Sequence, residues 1–116
     1  MPILFEKREH VGVLTFSRPE VRNAWCEDFY EELRLALESA DADGDIRCVI
    51  VTGDERGGAF SAGADLKNPA THTLNNSAQF IENLPKRRRH AFRVMDDFSK
   101  PLVAAVNGYA VGIGCI

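Results

Sequence analysis

Two short strand-like runs, each followed by a turn dense in small residues, constrain this chain more than any other feature. Ile46-Arg47-Cys48-Val49-Ile50-Val51-Thr52 precedes the stretch Gly53 to Ala64, and Leu102-Val103-Ala104-Ala105-Val106 precedes Asn107-Gly108-Tyr109-Ala110-Val111-Gly112-Ile113-Gly114. Apolar runs of this length between turn signals fit strands buried in a helix-covered sheet, which makes Cys48 a core packing residue. Between Asp28 and Ala40, the apolar residues Phe29, Leu33, Ala36, Leu37 and Ala40 recur at i, i+4, i+7, i+8 and i+11, the stripe of an amphipathic helix. Asp41 to Asp45 stops that helix, with Gly44 suited to its C-terminal cap. Upstream, Ile3 to Arg8 and Gly12 to Phe16 are β-favouring runs around His10-Val11-Gly12, which predicts an opening hairpin ended by Arg18-Pro19-Glu20. Strand, helix, strand then makes a βαβ crossover.

Gly53 to Ala64 and the polar stretch Asn68 to Ser77 read as loops. Asn75-Asn76-Ser77 can cap a helix from about Ala78, kinked at Pro85, with Ala91, Val94, Met95 and Phe98 on its apolar face and Lys100-Pro101 at its end. A chain of 116 residues suits one small domain. With 14 Lys+Arg against 17 Asp+Glu it lacks the basic footprint of a nucleic-acid partner. Glu6 and Lys7 interrupt any signal-type stretch and no apolar run is long enough for a bilayer, so the expectation is a cytoplasmic protein with no membrane partner. Cys26, Cys48 and Cys115 lack CxxC spacing and read as reduced thiols, and His10, His72 and His90 are scattered, so no metal site is expected.

Ligands of open α/β sheets bind at the carboxyl ends of strands, where the two glycine-bearing turns fall. Small residues let a substrate approach peptide N–H groups, and two such donors aimed at one oxygen make an oxyanion hole. Ordinary tight βα turns would carry the same glycines. Neither turn supplies G-x-G-x-x-G or a P-loop, which disfavours a nucleotide-binding unit. Asp65 stands where it would meet a proton in the first turn, although Asp also favours such positions for local hydrogen bonds. Lys86-Arg87-Arg88-Arg89-His90 reads as a solvated helix face or a subunit contact, and Trp25 and Tyr109 as core or interface aromatics.

Three segments carry a family resemblance. Phe60-Ser61-Ala62-Gly63-Ala64-Asp65-Leu66-Lys67 resembles the segment F-S/C-A-G-A-D-L/I-K of the enoyl-CoA hydratase/isomerase, or crotonase, family. Pro101 to Gly112 resembles that family's P-V/L-I/V-A-A-V/I-N-G-x-A/C-x-G, and Arg18-Pro19-Glu20-Val21-Arg22-Asn23-Ala24 resembles its R-P-x-x-x-N-A. The segments stand in the family's order and cover essentially the whole chain.

The resemblance implies an α/β fold, the N-terminal portion of a crotonase-like ββα superhelix, with residues 1–116 as an N-terminal core. It implies an acyl-CoA thioester as ligand, with no cofactor beyond the coenzyme A carried by the substrate. The backbone N–H groups of Ala64 and Ile113 would form the oxyanion hole for a thioester enolate, the second reinforced by the start of a helix. Arg22, Ala24, Ala62, Asp65, Leu66, Tyr109 and Gly112 would bind substrate, with Arg22 able to meet a CoA phosphate or else serving as a plain surface arginine.

Two positions depart from the family pattern. Gly112-Ile113-Gly114 replaces a G-G-G run, keeping the backbone donor but narrowing the space beside it. Ile116 stands where hydratases of the family carry a glutamate, and isoleucine does no acid–base work. The resemblance places the second carboxylate, much of the pocket and the trimerisation surface beyond Ile116. The chain is therefore expected to be catalytically incomplete, with a homo-oligomer, trimer or hexamer, expected of a longer form. Hydration competes with double-bond isomerisation, thioester hydrolysis and carbon–carbon cleavage, and an acyl-CoA-binding homologue without catalysis, or a truncated fragment, is the alternative.

Overall fold

The computed structural model describes residues 2–64 and 86–115. The elements are β1 (Ile3–Arg8), β2 (Val11–Phe16), α1 (Glu27–Ala42), β3 (Cys48–Gly53), β4 (Ala59–Ser61), α2 (Lys86–Asp96), β5 (Leu102–Ala105) and β6 (Tyr109–Ala110), with one-turn 3-10 helices at Pro19–Val21, Glu55–Gly57 and Gly112–Cys115. A four-stranded sheet runs β1-β2-β3-β5, and a separate two-stranded sheet pairs β4 with β6.

The opening hairpin is present, but its turn is Glu9–His10, because Val11 pairs with Arg8 and so belongs to β2. Along β2 the buried residues are Gly12, Leu14 and Phe16, the period of two that a sheet with one covered face imposes. β2 and β3 run parallel from Val11↔Cys48 to Phe16↔Gly53, with α1 as the crossover between them. The βαβ reading therefore holds.

The expected burial of the two central runs does not hold in full. β3 also alternates: Val49, Val51 and Gly53 are buried while Cys48, Ile50 and Thr52 are half-buried. Phe29, Leu33, Leu37 and Ala40 of α1 and Ala91 of α2 join Leu14, Phe16, Val49 and Val51 in one cluster, so the described helices cover a single face. Cys48 lies on the other face and is not a core residue. β5 pairs in parallel with β3 from Val49↔Leu102 to Thr52↔Ala105, yet it is an edge strand with Val103 52 % exposed. No described strand pairs with its outer side, which is why an apolar run expected to be buried stands open.

The predicted stripe of α1 is the observed one, with Phe29, Leu33, Leu37 and Ala40 buried and Ala36 half-buried. Its stop is made differently. Asp43, extended at φ −85°, closes the helix by donating its N–H to Ser39 O and Ala40 O. The Lys100 ammonium then donates to the carbonyls of Ala40 and Asp43 at 2.7 and 2.6 Å, taking the place expected for Gly44. In α2, Ala91 is buried and Val94, Met95 and Phe98 pack against the core, as their spacing predicts, although the helix ends at Asp96, ahead of Lys100-Pro101.

Several expectations lie outside the described residues: the loop from Asn68 to Ser77, the cap at Asn75–Ser77, the helix start near Ala78, the kink at Pro85, His72, and the side chains of Lys86, Arg87, Arg88 and Cys115. Arg89 and His90, from the same basic run, are exposed.

An aromatic group locks α1 onto the sheet. Phe16 sits 4.9 Å from Phe29, 5.5 Å from Trp25 and 5.2 Å from Phe60, and Trp25 stacks on Phe29 at 4.7 Å between centroids. Phe29 is fully buried at this junction. Phe29→Ala is expected to lower the unfolding free energy by about 3–5 kcal/mol, through lost apolar burial and the cavity left behind. Urea titration checks this, and a loss below about 1 kcal/mol would mean the aromatic group is not where stability resides.

Candidate functional site

The site begins with a backbone irregularity. After the 3-10 turn at Pro19–Val21, Arg22 and Asn23 both adopt left-handed conformations, at φ 55° and 58°. Two successive non-glycine residues of this kind need local compensation, and Asn23 supplies it. Its side chain is fully buried: Oδ1 accepts from Arg18 N–H at 2.9 Å, and Nδ2 donates to Asp54 O at 3.1 Å and Ala59 O at 2.8 Å. One amide thereby ties the Arg18–Ala24 loop to the turn before β4 and to β4 itself. Arg18 donates its guanidinium to Ala24 O at 2.9 Å, closing the loop across the two ends of the R-P-x-x-x-N-A segment.

Against this loop lies the first glycine-bearing turn. Ala62 N–H donates to Arg22 O at 3.0 Å, Trp25 N–H donates to Gly63 O at 2.8 Å, and Trp25 and Ala64 form a parallel bridge. In a parallel bridge only one of the two facing residues spends its peptide groups on the ladder. The bond to Gly63 identifies that residue as Trp25, so the Ala64 N–H points out of the ladder.

The second turn is tied to the first. Ala59 pairs with Tyr109 and Ser61 with Ala110, and Val111 N–H donates to Ser61 O at 3.0 Å. Gly112, at φ 55°, opens the 3-10 turn, whose first closing bond is Gly114 N–H to Val111 O at 2.9 Å. Ile113 N–H precedes that bond and belongs to the donors a helical turn leaves unused at its start. The two turns touch at Gly63, where φ is 92° and a Cβ would lie 2.7 Å from Val111 O and 3.8 Å from Ile113 N. The peptides ahead of Ala64 and Ile113, from separate loops, thus stand at one place. Where a helix start was expected, the described residues form a single 3-10 turn, Gly112–Cys115.

Beside Ile113 opens an apolar cavity of about 380 Å³ between the two sheets, lined among others by Phe16, Trp25, Phe60, Met95 and Ala110. The half-buried Ile113 side chain forms part of its wall. A groove of about 460 Å³ between α1 and α2 is lined by Arg34, Glu38, Asp41, His90, Arg93 and Asp97, and holds none of the residues matched to the family pattern. Among the described residues no group of three metal-ligating side chains exists.

The remaining candidates divide. Arg22 and Gly112 are exposed, Ala62 is half-buried, and Ala24 is buried beneath the loop, where its carbonyl serves Arg18. Tyr109 stands 73 % exposed, which removes the core reading, while Trp25 is core as predicted. Asp65, Leu66 and Ile116 lie outside the described residues. Residue reading alone missed Asn23 as an organiser and β4 and β6 as strands. The signal for Asn23 was present, since asparagine is among the few non-glycine residues that tolerate the left-handed region it occupies.

Asp54, in the turn that Asn23 holds, accepts from the Arg56 side chain, from Ser17 Oγ at 2.8 Å and from Arg56 N–H at 3.0 Å. These contacts, the Arg56 side chain foremost, hold its carboxyl well below the usual carboxylate range.

The chain matches the family described as enoyl-CoA hydratase/isomerase over residues 6–116. It is 36% identical over 113 residues to the 2,3-dehydroadipyl-CoA hydratase of Escherichia coli, covering 97% of this chain and 41% of that protein. It is 33% identical over 118 residues to a mitochondrial enoyl-CoA hydratase of Pongo abelii, covering 97% of this chain and 37% of the relative. Among solved structures, an enoyl-CoA hydratase from Mycobacterium marinum superposes with a TM-score of 0.79 at 32% identity, covering 98% of this chain and 52% of the other. An enoyl-CoA hydratase/isomerase from Pseudoalteromonas atlantica superposes with a TM-score of 0.79 at 30% identity, covering 98% and 41%. The chain thus spans about two fifths of the length of the curated relatives it matches.

Two outcomes follow from the site's construction. Asn23→Ala leaves buried partners at Arg18, Asp54 and Ala59 without a counterpart and is expected to cost about 3 kcal/mol or more in unfolding free energy. A change below about 1 kcal/mol would remove Asn23 from its organising role. Because the folded-state carboxyl of Asp54 titrates below its unfolded value, its stabilisation is complete above about pH 4 and is lost as pH falls further. Asp54→Asn should therefore be less stable than wild type at neutral pH and lose less stability on acidification. An acid limb of the same depth in both proteins would contradict this.

Proposed function

The chain belongs to the enoyl-CoA hydratase/isomerase family and has the crotonase fold, and from that premise we propose that it supplies the oxyanion hole of an acyl-CoA-processing enzyme. Addition of water to C3 of a 2-enoyl thioester, or removal of a proton from C2, moves an electron pair onto the thioester oxygen. Two peptide N–H groups fixed beforehand at that oxygen stabilise the developing charge without reorganising. Ala64 and Ile113 are the donors in this reading. The observation that carries it is the close approach of Gly63 to Val111, tight enough to exclude a Cβ, which brings two donor-bearing turns together where both N–H groups fall outside the local ladders.

The substrate's remaining parts are assigned more coarsely. The exposed Arg22 guanidinium is the group for a CoA phosphate, and Ala62, Asp65, Leu66, Tyr109 and Gly112 are assigned to substrate binding on the resemblance alone, as is the buried Ala24. Hydratase/isomerase-type lyase chemistry is the activity proposed for the whole protein. Since Ile116 offers no proton, hydration needs its acid–base carboxylates at other positions, whereas isomerisation, thioester hydrolysis or carbon–carbon cleavage use the same hole with other acid–base groups. Assembly into trimers or hexamers and a cytoplasmic setting rest on the resemblance and the sequence expectation. Ile116 also favours a second reading, an acyl-CoA-binding protein without turnover.

Ala64→Pro deletes one donor and adds no charge. Turnover of a short 2-enoyl-CoA by protein containing this chain is expected to fall about 100-fold, with acyl-CoA affinity by calorimetry nearly unchanged. Undiminished turnover in the variant would remove Ala64 from the mechanism. Binding without any turnover in the wild-type protein would favour the second reading.

A further inference from the structure

We propose that Ser61 is a positioning residue that holds both amide-bearing turns in register, a role that rests on the oxyanion-hole reading above. Its side chain is fully buried, and a buried hydroxyl has to satisfy its proton. The geometry leaves one arrangement: Ser61 Oγ donates to Asn23 O at 3.0 Å, since a carbonyl only accepts, and receives Gly63 N–H at 3.1 Å, since an amide only donates. Gly63 is thereby held at both ends, its N–H by Ser61 and its C=O by Trp25 N–H at 2.8 Å. That carbonyl shares a rigid peptide plane with the Ala64 N–H, so fixing it aims the first donor.

Ser61 acts on the second turn through different atoms. Its carbonyl accepts Val111 N–H at 3.0 Å, two residues before Ile113. Gly114 passes directly over it: a Cβ on Gly114 would lie 2.7 Å from Ser61 Cβ and 2.8 Å from Oγ. No larger residue than glycine fits above the serine, and the 3-10 turn that begins beside Ile113 is seated there. Among the described residues Ser61 is bonded to one donor turn by its side chain and to the other by its backbone. Asn23, itself pinned by its buried side-chain bonds, supplies the fixed carbonyl that sets the hydroxyl's direction.

A turn serine of purely structural importance would affect substrate binding and enolate formation alike, whereas a positioning residue affects the charged state selectively. The test uses two thioesters on protein containing the full chain. Acetoacetyl-CoA has an acidic C2, and its enolate is read by near-ultraviolet absorbance; butanoyl-CoA, whose C2 is far less acidic, reports ordinary binding by calorimetry. Ser61→Ala is expected to lower the bound enolate fraction about tenfold while butanoyl-CoA affinity stays unchanged, and Ser61→Cys, which keeps a weaker donor and acceptor, is expected to fall between. If Ser61→Ala does not fold, Ser61→Cys against wild type carries the same comparison. Equal enolate fractions in wild type and variant, or a parallel loss for both thioesters, would overturn the role given to Ser61. Failure of the wild-type protein to bind the enolate at all would instead overturn the oxyanion-hole reading itself, and the role of Ser61 with it.

Discussion

The approach of Gly63 to Val111 admits no side chain, and the candidate site depends on that constraint. The left-handed backbone at Gly63, φ 92°, and a distance of 2.7 Å from its absent Cβ to Val111 O make glycine the one residue that lets the two loops meet. A methyl group there would push apart the strands' continuations and separate the donors they carry. Everything else described near the site serves to keep this approach in place: β4 paired with β6, Arg22 O held by Ala62 N–H, and Trp25 N–H bound to Gly63 O.

Stability and geometry come from different layers. Phe16, Trp25, Phe29 and Phe60 glue α1 and both sheets together through apolar burial, which is strong but indifferent to direction. Direction comes from a small set of buried polar groups, Asn23 and Ser61 above all, each satisfied by partners in other segments. Such networks specify one arrangement because a partly made alternative strands a buried donor or acceptor. The cavity of about 380 Å³ beside Ile113 is walled by apolar residues of both sheets, Phe16 and Phe60 among them.

Periodicity made the amphipathic helix legible: the spacing of Phe29, Leu33, Leu37 and Ala40 is that of the observed buried stripe. The parallel strands following a crossover were equally plain in Cys48–Gly53 and Leu102–Ala105. Burial was harder: the run through Cys48 alternates, because a sheet covered by helices on one face buries every second residue. The helix stop was misassigned to Gly44 since local pattern cannot register Lys100, a residue distant in sequence whose ammonium does the capping. Strands as short as Ala59–Ser61 and Tyr109–Ala110 carry no periodic signal, so the pairing that unites the two turns was not predictable from residues alone. The motifs identified the family, whereas the role of Asn23 emerged only with its partners in space.

The most direct measurement of the central claim is the amide proton shift of Ala64 and Ile113 in isotope-labelled protein during titration with an acyl-CoA thioester. Two donors to one oxygen should move downfield together and saturate at the same ligand concentration, while Ala62 and Val111, whose N–H groups already serve Arg22 O and Ser61 O, stay near their starting positions. Movement of only one of the two, or of neither while the ligand binds, would show that the turns do not share a thioester oxygen.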